Sequence, residues 1–149
     1  MAVSETLVAK AYPALPPYVV GREKVREFAR ATFAADPAHS DVDVATARGL
    51  SDVLAPATFP VVIQQAALDM LVADPEAGID FSRVVHGDQR FDYHREVVAG
   101  DELTATLRVV KVQSLGGHTM VTAEVAMSDQ AGLPVVTATS TLVIRGDDH

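Results

Sequence analysis

The sequence predicts an α+β domain in which one long apolar helix lies against an antiparallel sheet. Three observations predict it. A wide apolar stripe of helical period runs from Phe59 to Leu71, and three long stretches rich in Thr, Val and Leu follow Leu103. Glycine-containing turn signals separate those stretches, so consecutive strands should pair as a meander. A sheet with a single apolar helix must bury that helix on one face, which gives a helix–sheet layer pair.

Along the chain, Tyr12-Pro13-Ala14-Leu15-Pro16-Pro17 is punctuated by proline and is expected to be extended, leading to a short strand at Tyr18-Val19-Val20. From Arg22 to Ala35 the period changes. Val25, Phe28, Ala29 and Thr32 share one helical face, with Glu23, Lys24 and Glu27 on the other, and Asp36-Pro37 should end the helix. A short helical turn is expected over Asp41 to Arg48, with Ser40 as N-cap and Gly49 as its stop.

The long helix is expected to begin with Thr58 as N-cap and Pro60 in the first turn. Phe59, Val62, Ile63, Ala66, Ala67, Met70 and Leu71 form its stripe, widened by Val61, Leu68 and Val72, so near-complete enclosure is expected. Asp74-Pro75 ends it. Phe91 and Tyr93 alternate with polar residues before a Gly100-Asp101 turn. Strands are expected over Leu103 to Gln113, Thr119 to Met127 and Val135 to Arg145, with turns at Gly116-Gly117 and Asp129 to Gly132. Asp147-Asp148-His149 should fray. No repeat, linker or low-complexity block divides residues 1–149, so one domain is expected, with its ordered core over about 6–145. A long central helix wrapped by an antiparallel sheet is the hot-dog arrangement, and helix first, meander after is consistent with that order. Exposed edge strands would invite pairing with a second subunit.

Composition narrows the function. With no cysteine, disulfides, thiolate catalysis and thiolate-bound metal are excluded. The opening Met1-Ala2-Val3-Ser4-Glu5 lacks the pattern of a secretory leader, and no apolar run approaches the ~18–20 residues of a membrane span. A cytoplasmic setting without a membrane span is therefore expected. A net charge of −8 argues against nucleic acid as a partner. An anionic ligand would need a local basic patch, for which Arg83, Arg90, Arg95 and Lys111 are candidates; alternatively these are ordinary surface charges.

Three segments could carry chemistry. In Asp36-Pro37-Ala38-His39-Ser40-Asp41, the Asp36 carboxylate and His39 imidazole could act as acid and base, although Asp-Pro also simply starts turns and His39 could be a solvated loop residue. At Pro56-Ala57-Thr58, backbone N–H groups at the start of the long helix could bind a thioester carbonyl or developing enolate, or Thr58 could merely cap them. Val85-His86-Gly87-Asp88-Gln89 could be a strand-end turn with polar contacts across a subunit boundary; a metal site is disfavoured, because a single His and Asp offer too few ligands. No metal or cofactor is expected: there is no P-loop, no Gly-x-Gly-x-x-Gly and no Gly-x-Ser-x-Gly elbow.

The stretches Val20-Gly21-Arg22-Glu23-Lys24-Val25-Arg26-Glu27-Phe28-Ala29, Ala55-Pro56-Ala57-Thr58-Phe59, Arg83-Val84-Val85-His86-Gly87-Asp88-Gln89 and Ala99-Gly100-Asp101 together resemble the MaoC-type hydratase/dehydratase domains. Within that group the resemblance is to actinobacterial (3R)-hydroxyacyl-ACP dehydratase subunits that lack the full catalytic dyad, and it runs from Val20 to Val143. Catalytic members carry Asp-x-Asn-Pro-x-His after the first helix. Aligning on Pro37 and His39 places Ala34 at the aspartate and Asp36 at the asparagine, so the histidine is kept and the carboxylate is lost. They also carry His-Gly before the long helix, where Pro56-Ala57 stands here.

The resemblance implies a fatty-acyl thioester ligand, carried by acyl carrier protein or CoA, and no cofactor. Pro56, Ala57, Thr58, Val61 and Val62 would line its channel. The leading expectation is a non-catalytic subunit that pairs with a catalytic MaoC-type chain in fatty-acid elongation. An active homodimer using Asp36 and His39 is the second, and an acyl-thioester binding protein without chemistry is the third.

Overall fold

A computed structural model of the chain describes residues 3–146. Its five-stranded antiparallel sheet comprises β1 (Tyr18–Val19), β2 (Val84–Tyr93), β3 (Glu102–Leu115), β4 (His118–Ser128) and β5 (Pro134–Ile144), in the order β1-β3-β4-β5-β2. The helices are α1 (Arg22–Ala31), α2 (Val42–Ala47) and α3 (Val61–Ala73), and single 3₁₀ turns lie at Glu5–Ala9, Pro37–His39 and Phe81–Arg83.

The expected meander is β3-β4-β5. Alternation sends Leu107, Val125 and Ala138 to the inner face, where they sit cross-strand from one another and continue to Phe91 on β2. The β3–β4 hairpin turns on Gly116 and Gly117, both at positive φ (59° and 81°), a pair of conformations that L side chains resist. β2 is an edge strand: β5 pairs with one side of it, and among the described residues no strand pairs with the other.

The inner face closes over α3. Ile63, Ala67, Leu68 and Leu71 are buried against the sheet, together with Phe59 just ahead of the helix. Burying a Phe or Leu side chain contributes ~1.5–3 kcal/mol, so this row is a main part of the core energy. Phe28 of α1 meets Phe59 edge-on, with centroids 5.4 Å apart.

Several expectations are corrected. The long helix is not enclosed all round: Gln65, Ala66 and Asp69 are exposed, because the sheet covers only one side of it. Gln64 is the inward polar residue instead. It is fully buried and exchanges two hydrogen bonds with Gln89 of β2 (2.9 and 2.8 Å). The helix starts at Val61, two residues later than an N-cap at Thr58 would place it, and no side chain caps it. The N–H groups of Val61, Val62 and Ile63 already bond to the carbonyls of Thr58, Phe59 and Pro60, so the Thr58 hydroxyl is not needed there.

The first helix ends at Ala31, four residues before the expected Ala35, through hydrogen bonds from Phe33 N–H to Arg30 O and Ala34 N–H to Ala29 O. Asp41, not Ser40, caps α2: its carboxylate accepts from the N–H groups of Asp43 and Val44. His86-Gly87-Asp88 is no strand-end turn. It lies inside β2, where the pairing with β5 shifts register between His86 and Asp88. The frayed tail expected at Asp147-Asp148-His149 lies outside the described residues.

Candidate functional site

The loop after α1 is fixed residue by residue. One Asp36 oxygen accepts from the Ala38 N–H (3.0 Å) and caps the Pro37–His39 turn, with Pro37 in its first position. The other accepts from Arg48 Nη1 at the end of α2 (2.7 Å). The Arg48 guanidinium, helped by the Ala38 N–H, pulls the Asp36 carboxyl down to about 2, so it is ionised at neutral pH. Ala38 O then receives the Leu54 N–H (2.9 Å), and Leu54 O lies 2.5 Å from His39 Nδ1. A carbonyl can only accept, so Nδ1 carries the proton, and in the neutral ring Nε2 is left as the acceptor.

His39 borders a cleft of about 350 Å³ whose lining includes Leu54, Ala57, Tyr93 and Glu96. Tyr93, at the end of β2, donates its hydroxyl to Ala57 O (2.6 Å) and so ties the sheet edge to the turn ahead of α3. Burial pushes the Tyr93 phenol up to about 12, which keeps it a donor across the physiological range. Within this turn the N–H groups of Ala57 and Thr58 take no intramolecular hydrogen bond among the described residues. Of the two, Ala57 lines the cleft, and an unpaired donor there beside an oriented imidazole forms a suitable seat for a carbonyl that gains negative charge.

The candidate residues therefore divide. His39 and Ala57 meet at the cleft. Thr58 is exposed on the same turn, Pro56 is buried beneath it, and Val61 and Val62 are half-buried on the first turn of α3, outside the cleft lining. Asp36 stands near His39, and the His39 N–H donates to the Asp36 backbone carbonyl (3.0 Å), yet both carboxylate oxygens are committed elsewhere and no hydrogen bond joins the two side chains among the described residues. On the other side of His39, Ala34 borders a second cavity.

The proposed basic patch does not converge here. Arg95 is held by Asp101 (2.9 Å) and Asp129 (3.5 Å), linking the segment after β2 to the β4–β5 turn, while Arg90 pairs with Asp92 (3.0 Å). Arg83 donates to Gly146 O, and Lys111 is exposed on β3. Tyr93, Glu96, Arg48 and Leu54 were not found by sequence reasoning. Leu54 acts through its backbone and leaves no side-chain signal; Tyr93 is legible only as an alternating strand residue. Among the described residues no group of three or more His, Asp or Glu could hold a metal ion, and no helix is long and apolar enough to cross a membrane.

A sheet closed over one helix, with a histidine-bearing loop against the helix's leading turn, defines a hot-dog protein of the MaoC type. Comparison with known proteins agrees. Residues 10–138 match the family described as FAS1-like, dehydratase domain region, and the chain belongs to that family. It is 60% identical over 146 residues to a UPF0336 protein of Leifsonia xyli, covering 98% of each chain. With a UPF0336 protein of Streptomyces coelicolor it shares 46% over 149 residues, covering 100% of this chain and 99% of that one. A MaoC-like dehydratase structure superposes with a TM-score of 0.88 at 32% identity, covering 97% of this chain but only 44% of that one; the chain thus spans less than half of that protein. A chain of the HadBC (3R-hydroxyacyl-ACP dehydratase) complex of Mycobacterium tuberculosis superposes at 0.78, again with 32% identity, covering 89% of this chain and 92% of that one.

Proposed function

We propose that the chain is the substrate-holding, non-catalytic subunit of a (3R)-3-hydroxyacyl-thioester dehydratase in fatty-acid elongation. The observation that carries this reading is the split between binding and acid–base groups at the cleft. The free N–H donor of Ala57, on the cleft lining, can hold a thioester carbonyl. The carboxylate needed beside His39 is missing: Ala34 stands at the family's aspartate position, and Asp36 is consumed by Arg48 and the Ala38 N–H.

In the complete assembly, a base removes a proton from the α carbon while the β hydroxyl leaves as water, giving the trans-2-enoyl thioester. The partner's Asp and His would perform both transfers. The open side of β2, with exposed Val85 and Tyr93, offers that partner an edge. Two relatives support the need for one: the MaoC-like dehydratase leaves more than half of its chain unmatched, and the Mycobacterium protein is described as a complex. Pro56, Thr58, Val61 and Val62 would contribute to the channel only where the partner completes it. The setting expected for this role is the cytoplasm, and the whole chain acts as one domain.

The test is dehydratase activity of the assembled enzyme with Asp36→Ala and His39→Ala in this chain. Losses below about tenfold are expected for both. Losses of ~10²-fold or more in both would instead establish an active site of its own built on Asp36 and His39.

A further inference from the structure

The second cavity beside His39, about 480 Å³, has features the reading above does not use. Its lining combines the small side chains of Ala29, Ala34 and Ala35 with Arg26, Arg30 and Phe33. Phe33 is 91% exposed and sits at a φ of 57°, in the left-handed region that bulky residues avoid. It occupies the C′ position where helices favour glycine, so the fold gains nothing from it.

The charges around this cavity are mostly spent. Arg26 is paired with Glu23 and also donates to Ser40 O, Arg48 neutralises Asp36, and Lys24 takes Glu27. Arg30 alone in this group has no ion pair among the described residues. A protein with a net charge of −8 thus presents one uncommitted guanidinium, beside an exposed aromatic ring, on a cavity that shares His39 with the thioester cleft.

We infer that this cavity takes the phosphate-ester end of the thioester's pantetheine arm, with Arg30 on the phosphate and Phe33 packed on the apolar body beside it. The inference rests on the thioester-holding reading. The carbonyl would lie at Ala57 on one side of His39, and the arm would leave past Ala34, through space that an aspartate there would fill. Arg30 also lies in the last turn of α1, whose terminal carbonyls repel an anion. The guanidinium must therefore supply all of the phosphate's attraction, which sharpens the test.

The experiment measures affinity of the enzyme assembled from this chain and its catalytic partner for three non-hydrolysable 3-hydroxyacyl analogues: the pantetheine form without phosphate, the phosphopantetheine form and the CoA form. Wild type should bind the phosphopantetheine form about fivefold more tightly than the pantetheine form, with an advantage that shrinks as salt rises. Arg30→Gln should abolish or invert that advantage, Arg30→Lys should restore part of it, and Phe33→Gly should weaken both phosphate-bearing forms. Equal binding of the CoA and phosphopantetheine forms would assign the phosphate carried by a protein, and a CoA preference lost in Phe33→Gly would assign the nucleotide. A wild type indifferent to phosphate, or an advantage that survives Arg30→Gln, would overturn the inference while leaving the thioester reading intact. Failure of all three analogues to bind would overturn the thioester reading itself.

Discussion

Among the described residues the Gln64–Gln89 pair is the one side-chain hydrogen-bonded link between α3 and β2, with Gln64 inside the core, and its strength can be worked out. Gln64 is 0% exposed, and each amide both donates to and accepts from the other. Gln64→Leu keeps the volume but removes both bonds. Two neutral hydrogen bonds contribute ~0.5–1.5 kcal/mol each, and Gln89 would be left with a half-buried, unmatched amide, so the loss should be about 2 kcal/mol. For a chain of this size that is a fall of ~4–8 °C in melting temperature. Gln89→Leu should cost somewhat more, because it strands the fully buried partner. The double variant should cost less than the sum of the singles by ~1 kcal/mol or more, since no amide is then left unmatched. Urea denaturation of the four proteins measures the cycle. A coupling energy indistinguishable from zero would refute the reasoning and show that the amides are satisfied some other way.

Two further outcomes follow from local geometry. Phe33→Gly should raise stability by ~1 kcal/mol, since glycine adopts the positive φ freely and the exposed ring buries nothing; a lower melting temperature would contradict this. Asp74 accepts from Lys10 Nζ (2.7 Å) and Tyr12 Oη (2.6 Å), chiefly the lysine pulling its carboxyl down to about 2 and tying the amino-terminal segment to the end of α3. A depressed carboxyl stabilises the fold fully above its unfolded pKa of ~3.9 and loses that contribution as pH falls toward 2. Asp74→Asn should therefore be less stable than wild type at neutral pH, and the two should converge between about pH 4 and pH 2 in denaturation experiments.

Much of the fold was legible because periodicity reports burial directly. The meander from Leu103 to Ile144 and the stripe through Ile63, Ala67 and Leu71 follow from side-chain alternation alone. What failed was what depends on which of several competing partners wins, whether across the core or a residue or two away. Gln64 reads as an interruption of the apolar stripe, and only Gln89 across the core makes it an inward residue. Thr58 and Ser40 have the chemistry of caps, but nearby carbonyls and Asp41 serve those positions instead. His39 and Ala57 could be named from the residues, whereas the clamp that orients them, Leu54 O and Tyr93 Oη, depends on tertiary contact. For the arginines the two readings, basic patch or ordinary surface charge, stayed open in the residues, and it is the ion pairs of Arg90 and Arg95 that favour the second for those two.

The central claim is that this chain holds the thioester while a partner transforms it, and one measurement addresses it most directly. Crotonyl-CoA hydration should be assayed with the purified chain alone and again after co-expression with a hot-dog chain bearing both the Asp and the His. Negligible hydration by the chain alone, with activity appearing in a co-eluting complex, is the result predicted here. Full activity from the pure chain would contradict it.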